Sequence, residues 1–287
     1  MVEKGECMTV TYKKLGKRRR KGKRALRPET LVRDYLRERV RTVLSKEILL
    51  EDYEAHHLRH HGQRSRATSN WLTTLTHPCE AYGIFARITP PKMRRPIGLR
   101  LALTFAEGKD QQSRFELVMR QMGYKVERAE EQLSLPEYQI VARRDFLLSK
   151  TNTQRRYIEF KSMSPWLFQK VKTIASFQRG FLKKYWRQVV GLMALDKRKD
   201  YWIVCKDRSS GFIKVFEFRM GQRERREWGR MLARAARINK HFEHFLGKRA
   251  GLEAEPEAPR RTKLCDKKFC SGCEFRNVCD PWQRRKD

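Results

Sequence analysis

The sequence predicts an α/β domain built on a mixed sheet flanked by helices. Three observations point there. The β-like segments come in two pairs, each joined by a short polar turn; a long helical stretch separates the pairs; and amphipathic helices precede and follow them. In chain order, Pro28 and Glu29 open a helix on which Tyr35, Leu36, Val40, Val43, Leu44, Ile48 and Leu49 share a face. "HHLRHH" (56–61) reads as its solvated, Arg-flanked end rather than as an i,i+4 metal chelate. "SNWLTTLTHPCEAYGIFA" (69–86) gives a short helix, a turn at Pro78, then an apolar-aromatic segment around Cys79. Residues 108–126 form a helix with Phe115, Val118, Met119 and Met122 inward, closed by Gly123 before a strand from Tyr124. "EYQIVARRDFLL" (137–148) and "RRYIEFK" (155–161) make one hairpin; "YWIVCK" (201–206) and "FIKVFEF" (212–218) make another. The stretch 165–195 between them is helical with a break near 176–180, and 220–247 is an Arg-rich helix.

The domain boundaries follow from composition. A basic arm covers 1–27, a helical region 28–68, and the α/β core 69–249. A Pro-rich acidic linker covers 250–262 and a cysteine-rich segment 263–287.

Charge narrows the function. The chain of 287 residues carries 66 Lys+Arg against 33 Asp+Glu, a formal +33, so polyanions are its natural partners, nucleic acid above all. No apolar run reaches membrane-spanning length and no signal-peptide core opens the chain, so no membrane partner and a cytoplasmic setting are expected. Seven cysteines without a secretory signal suit a reducing compartment, where clustered cysteines hold metal. Cys205, inside "YWIVC", reads as a small buried hydrophobe.

The chemistry centres on "IEFKSMS" (158–164). Residues i and i+2 of a strand share a face, so Glu159 and Lys161 point one way and Phe160 the other. Asp145, in the partner strand, can stand beside Glu159 across the hairpin. Two converging carboxylates repel unless a cation joins them, and Mg²⁺ or Mn²⁺ accepts such hard oxygen ligands, with the Phe160 carbonyl as a third. With Lys161 at hand, that set suits hydrolysis of a phosphodiester.

"VARRDFLL", "YIEFKSMS" and "YWRQVVGLMAL" (185–195) together resemble the PD-(D/E)xK nuclease superfamily, and within it the RecB-type and CRISPR-associated exonucleases that carry a [4Fe–4S] cluster. The resemblance implies a restriction-endonuclease-like fold, metal ligation by Asp145 and Glu159, catalysis by Lys161, and a phosphate-side role for Gln188. Arg143 stands where the family's strand has Gly, and Leu192 where its helix has Tyr. The family's first motif falls on "EGKDQQ" (107–112), with Gln111 and Gln112 in the His and Glu places. Amides are poor metal ligands, so Glu116, one turn on, is the alternative.

Cys265, Cys270, Cys273 and Cys279 by their local spacing suit a structural Zn²⁺. The resemblance implies instead a [4Fe–4S] cluster held by Cys79, Cys270, Cys273 and Cys279, with Cys265 spare or an alternative ligand. Such ligation would close a loop of roughly 200 residues and restrict the unfolded chain by on the order of 5 kcal/mol.

Arg143, Arg144, Lys183, Lys184 and Arg187, with Trp186 among interleaved aromatics, are the expected DNA contacts, and they suit single strands or ends. The expected function is therefore a metal-dependent deoxyribonuclease, an exonuclease before an endonuclease, in repair or recombination of a prokaryote or its virus. The alternative is a non-catalytic nucleic-acid-binding protein on a nuclease-like scaffold with a structural zinc.

Overall fold

The chain, seen in a computed structural model, is described at residues 27–45, 69–89, 99–127, 131–151, 154–249, 273–276 and 279. The basic arm, "HHLRHH", the linker, Cys265 and Cys270 lie outside these. Helix α1 (Pro28–Ser45) begins at the expected proline, and Leu31 and Tyr35 on it are buried. A two-residue strand β1 (Asn70–Trp71) runs directly into α2 (Leu72–Leu75), and after the turn at Pro78 comes α3 (Glu80–Ile88).

Helix α4 (Leu99–Gln121) starts well before the expected residue 108. Gly108 marks no boundary: it sits inside the helix with open space where a side chain would go. The far end is as read. Gly123 has φ +78°, and Tyr124 N–H donates to the Met119 carbonyl at 3.0 Å, the closure of a glycine-terminated helix. Strands β2 (Lys125–Glu127) and β3 (Gln132–Leu135) follow.

The expected strand over 137–148 is two strands in two sheets. β4 (Ile140–Arg143) joins a small sheet in the order β1-β4-β3, and β5 (Phe146–Ser149) joins the main one. Between them Arg144 and Asp145 leave the ladder. β5 then pairs antiparallel with β6 (Arg155–Met163), in the register Phe146 to Ile158 and Ser149 to Arg155, which is the expected hairpin.

From β6 the chain crosses over through α5 (Pro165–Lys170), two 3-10 turns (Ile174–Gln178 and Gly180–Leu182) and α6 (Lys183–Leu195). It returns as β7 (Asp200–Asp207), parallel to β6. The break expected near 176–180 is there, with Gly180 at φ +50°. β8 (Ile213–Arg219) pairs antiparallel with β7, and α7 (Gln222–Arg249) completes the element order.

The main sheet, β2-β5-β6-β7-β8, is thus mixed, and helices cover both faces. Strand alternation assigns the sides. Phe146, Leu148, Ile158, Phe160, Trp202 and Val204 pack with Leu31 and Tyr35 of α1 and Phe115, Val118 and Met119 of α4. Leu147, Tyr157, Met163, Tyr201, Ile203 and Cys205 face Val189, Val190 and Met193 of α6 and Met231, Ala235 and Ile238 of α7. Cys205 is fully buried, and burial pushes its thiol up, as suits a packing residue. α6 lies close to α2 because position 191 is glycine: a Cβ there would stand 3.1 Å from Leu72 Cγ and nearer still to its methyls. This architecture is the mixed α/β sheet flanked by helices that the sequence predicts.

Candidate active site

The point where the chain changes sheets is where the acidic groups meet. The β5–β6 pairing ends at Phe146 and Ile158, so the next register position sets Asp145 against Glu159. The backbone departs there, and the Asp145 side chain takes over its bonding: Oδ2 accepts the Phe160 N–H at 2.7 Å. A residue that would have been one rung of a ladder instead presents a carboxylate at the sheet's edge. The break has no Gly or Pro to announce it.

Glu159 is fully buried on the face toward α6. Its Oε1 accepts from the Lys161 ammonium and from Gln188 Nε2 of α6 at 2.6 Å. The period-2 geometry of β6 puts Lys161 beside it, and the parallel crossover lays α6 over that face, which delivers Gln188. Burial would lower the Lys161 pKa, but the charges of Glu159 and Asp145 and the hydrogen bond to Glu159 outweigh it, and the ammonium is raised above its ordinary value. Lys161 is therefore a fixed cation at neutral pH.

Asp145, Glu159, Phe160, Lys161 and Gln188 line one cleft with about 230 Å³ of space, together with Trp71, Thr73, Lys109, Gln112, Ala142 and Arg143. Of the first-motif candidates, Gln112 reaches this cleft, while Gln111 is half-buried and not part of its lining. Glu116 is turned elsewhere. It is 1% exposed and held by Arg120, with Nε at 3.0 Å and Nη2 at 2.6 Å, so its charge is already matched within α4. Lys109 and Trp71 were not foreseen; Lys109 precedes Gln112 by three residues and so shares its face of α4.

Two expected DNA contacts are interior and need correction. Trp186 is 2% exposed, packed in the α6–sheet core with its indole N–H donating to Glu224 at 3.3 Å. Arg144 is 1% exposed and spans Asp196 at 2.7 Å and Glu131 at 2.5 Å, because a buried guanidinium must be neutralised where it sits. Arg187 is largely occupied by Glu227 at 2.6 Å. Arg143 stays at the cleft, its guanidinium 5.7 Å from the Trp71 ring centre. Lys183 and Lys184 are half-buried at the start of α6. Burial, then the nearby Lys161 charge, lowers the Lys184 amine to about 8.

A second gathering involves the cysteines. Cys79, Cys273 and Cys279 all pack against one small cluster of Ala81, Phe85, Ala86 and Phe275. Phe275 is 1% exposed and meets Tyr82 edge-on at 5.1 Å, while the Tyr82 hydroxyl donates to Glu274 at 2.7 Å. α7 fixes the other side: Arg234 donates to the carbonyls of His77 and, at 2.5 Å, Cys79, and Arg237 pairs with Glu80 at 2.6 Å. Residues nearly two hundred apart in sequence thus share one site. Among the described residues, no three His, Cys, Asp or Glu side chains converge closely enough to hold a metal ion by themselves. No helix among the described residues is long and apolar enough to cross a membrane.

No protein-family model and no curated protein matches the chain. Among solved structures it is similar to LHK-Exo in complex with dAMP, at 15% identity and a TM-score of 0.44 over 65% of this chain and 95% of that one. It is also similar to an alkaline exonuclease (LHK-Exo) from Laribacter hongkongensis, at 16% and 0.44 over 66% and 97%. SSO0001 matches at 12% and 0.42 over 82% and 97%. Likenesses this distant carry no chemistry across, so the cleft's own groups must.

The Glu159–Lys161 pair makes a measurable demand on stability. Lys161→Met strands a buried carboxylate and is expected to cost about 3 kcal/mol. In a Glu159→Gln background the same change is expected to cost under about 1 kcal/mol. Urea denaturation of the four proteins of this cycle checks it; equal costs in both backgrounds would mean the pair is not coupled.

Proposed function

We propose that the chain is a metal-dependent deoxyribonuclease of the PD-(D/E)xK type, acting as an exonuclease on DNA. The observation that carries the reading is the placing of Asp145 and Glu159 in one cleft with Lys161 and Gln188. The donor set fits a hard divalent cation: two carboxylates from opposed register positions, with the Phe160 backbone between the two acidic functions. Asp145, Glu159 and the Phe160 carbonyl would hold it. Mg²⁺ or Mn²⁺ bound there supplies Lewis acidity at a phosphoryl oxygen and a water of lowered pKa.

The chain's own groups do the rest. Lys161, hydrogen-bonded to Glu159 in the cleft, supplies a donor and a positive charge toward the phosphate. Gln188 fixes the Glu159 carboxylate in one orientation through its amide. Lys109 and Arg143 in the same cleft add charge for the flanking phosphates. The formal +33 supplies the long-range attraction to DNA.

For the cysteines we favour a [4Fe–4S] cluster on Cys79, Cys270, Cys273 and Cys279 over a local zinc. Support comes from the packing of Cys79 with Cys273 and Cys279 around Phe275, which a purely local site would not require. Soft thiolates suit either metal, so composition decides: protein purified anaerobically is expected to contain iron and acid-labile sulfide with broad visible absorption. One zinc and no sulfide would overturn the cluster.

A second reading has one observation in its favour. With Gln112 at the cleft and Glu116 engaged by Arg120, the first-motif helix brings no carboxylate to the site, which suits a scaffold that binds DNA without cutting it. Labelled DNA incubated with Mg²⁺ or Mn²⁺ separates the two. Cleavage abolished by chelator, and lowered at least about 10²-fold by Asp145→Asn, Glu159→Gln or Lys161→Met with binding retained, is the expected result. Chelator-insensitive activity, or none in the unsubstituted protein, would favour the non-catalytic reading.

A further inference from the structure

The crossover between the parallel strands holds most of the longest stretch of the chain without an acidic residue. Residues 162–195 contain no Asp or Glu, but include Lys170, Lys172, Arg179, Lys183, Lys184 and Arg187. The same segment presents Trp166 at 65% exposure and Phe181 at 55%, large rings that the core does not use. Each is capped by its own cation: Lys170 Nζ lies 3.6 Å from the Trp166 ring centre and Lys184 Nζ 3.7 Å from that of Phe181.

Phe181 joins the cleft through contacts, and Trp166 stands near it in sequence. Phe181 meets Tyr185 edge-on at 6.2 Å, and Tyr185 lies 5.5 Å from Lys161 Nζ. Trp166 follows the end of β6 by three residues. The other exposed large hydrophobic side chains among the described residues lie at the same end of the sheet. Ile174 belongs to the crossover, Phe212 to the β7–β8 turn, and Phe105 to the part of α4 that Glu107 ties to Arg208 of that turn at 2.8 Å. Exposed apolar side chains thus stand on the segments that follow β6 and β7, at the carboxyl end where ligands of open α/β sheets bind.

We propose that Trp166–Lys170 and Phe181–Lys184 form a two-step track on which unpaired nucleobases stack, with the lysines on the adjoining phosphates, leading a single strand into the Asp145–Glu159 cleft. The inference rests on the nuclease reading for its destination, but the track's own chemistry is stacking and charge. The segment sets positive charge beside exposed aromatic rings; a single strand offers anions and flat π-faces at alternating positions, and matches both. Bases inside a blunt duplex cannot reach the rings, so the track discriminates between strand states without reading sequence.

The test is binding, measured in chelator so that cleavage plays no part. Fluorescence anisotropy would compare a labelled oligothymidylate with a blunt hairpin duplex, for the full chain and for Trp166→Ala, Phe181→Ala and Phe181→Trp. Each alanine variant is expected to weaken single-strand binding about tenfold, to change duplex binding less than about twofold, and to melt as the parent does; Phe181→Trp is expected to retain affinity. Equal losses for both substrates, or no loss, would overturn the track. If the parent cleaves DNA yet the alanine variants bind single strands normally, the track falls and the nuclease reading stands. If the parent never cleaves but the selective loss is seen, the reverse holds.

Discussion

A carboxylate buried without access to solvent must be met by positive charge or by strong donors, and Glu159 meets both, in Lys161 on its own strand and Gln188 on the facing helix. Much of the architecture can be read from that requirement. Lys161 is in place only because β6 is a regular strand, so i and i+2 share a face. Gln188 is in place only because the β6–β7 connection is a crossover whose helix lies back on that same face. The sheet is mixed for the same reason: the hairpin into β6 is antiparallel and supplies Asp145, while the exit to β7 is parallel and supplies α6.

Charge is distributed with a matching economy. Three interior acids answer particular cations: Asp196 holds Arg144, Glu227 holds Arg187, and Glu116 holds Arg120. Residues 162–195 of the crossover beside the cleft carry no Asp or Glu. Lys109, Arg143 and Lys161 line the same cleft as Asp145 and Glu159, so positive charge stands around the two carboxylates. On the far side of α6, Arg234 and Arg237 of α7 clamp the Cys79 turn, so the cysteine site and the cleft share a framework.

The parts of this that were legible in the sequence are those with a local cause. Strand alternation put Glu159 and Lys161 on one face and Phe160 on the other, glycines marked the end of α4 and the break before α6, and the two hairpins followed from their polar turns. What was not legible depended on partners far along the chain. Nothing in "ARRDF" shows that the strand changes sheets at Asp145, because the bend is carried by Arg144 finding Asp196 and Glu131 and by Asp145 finding Phe160 N–H. Counting basic and aromatic residues could not say which were interior. Trp186 had a signal that was passed over: it precedes Val189 by three and Val190 by four, so it shares their buried face. Lys109 had a signal as well: it precedes Gln112 by three within the expected helix and so shares its face.

The central claim is that Asp145 and Glu159 hold one divalent cation between them. Calorimetric titration of metal-free protein with Mn²⁺ tests it without reference to any reaction or nucleic acid. The account predicts a binding event in the cleft that is lost in Asp145→Asn and also lost in Glu159→Gln, both variants remaining folded. Titration curves unchanged by either substitution, or no heat attributable to binding in the parent protein, would contradict it.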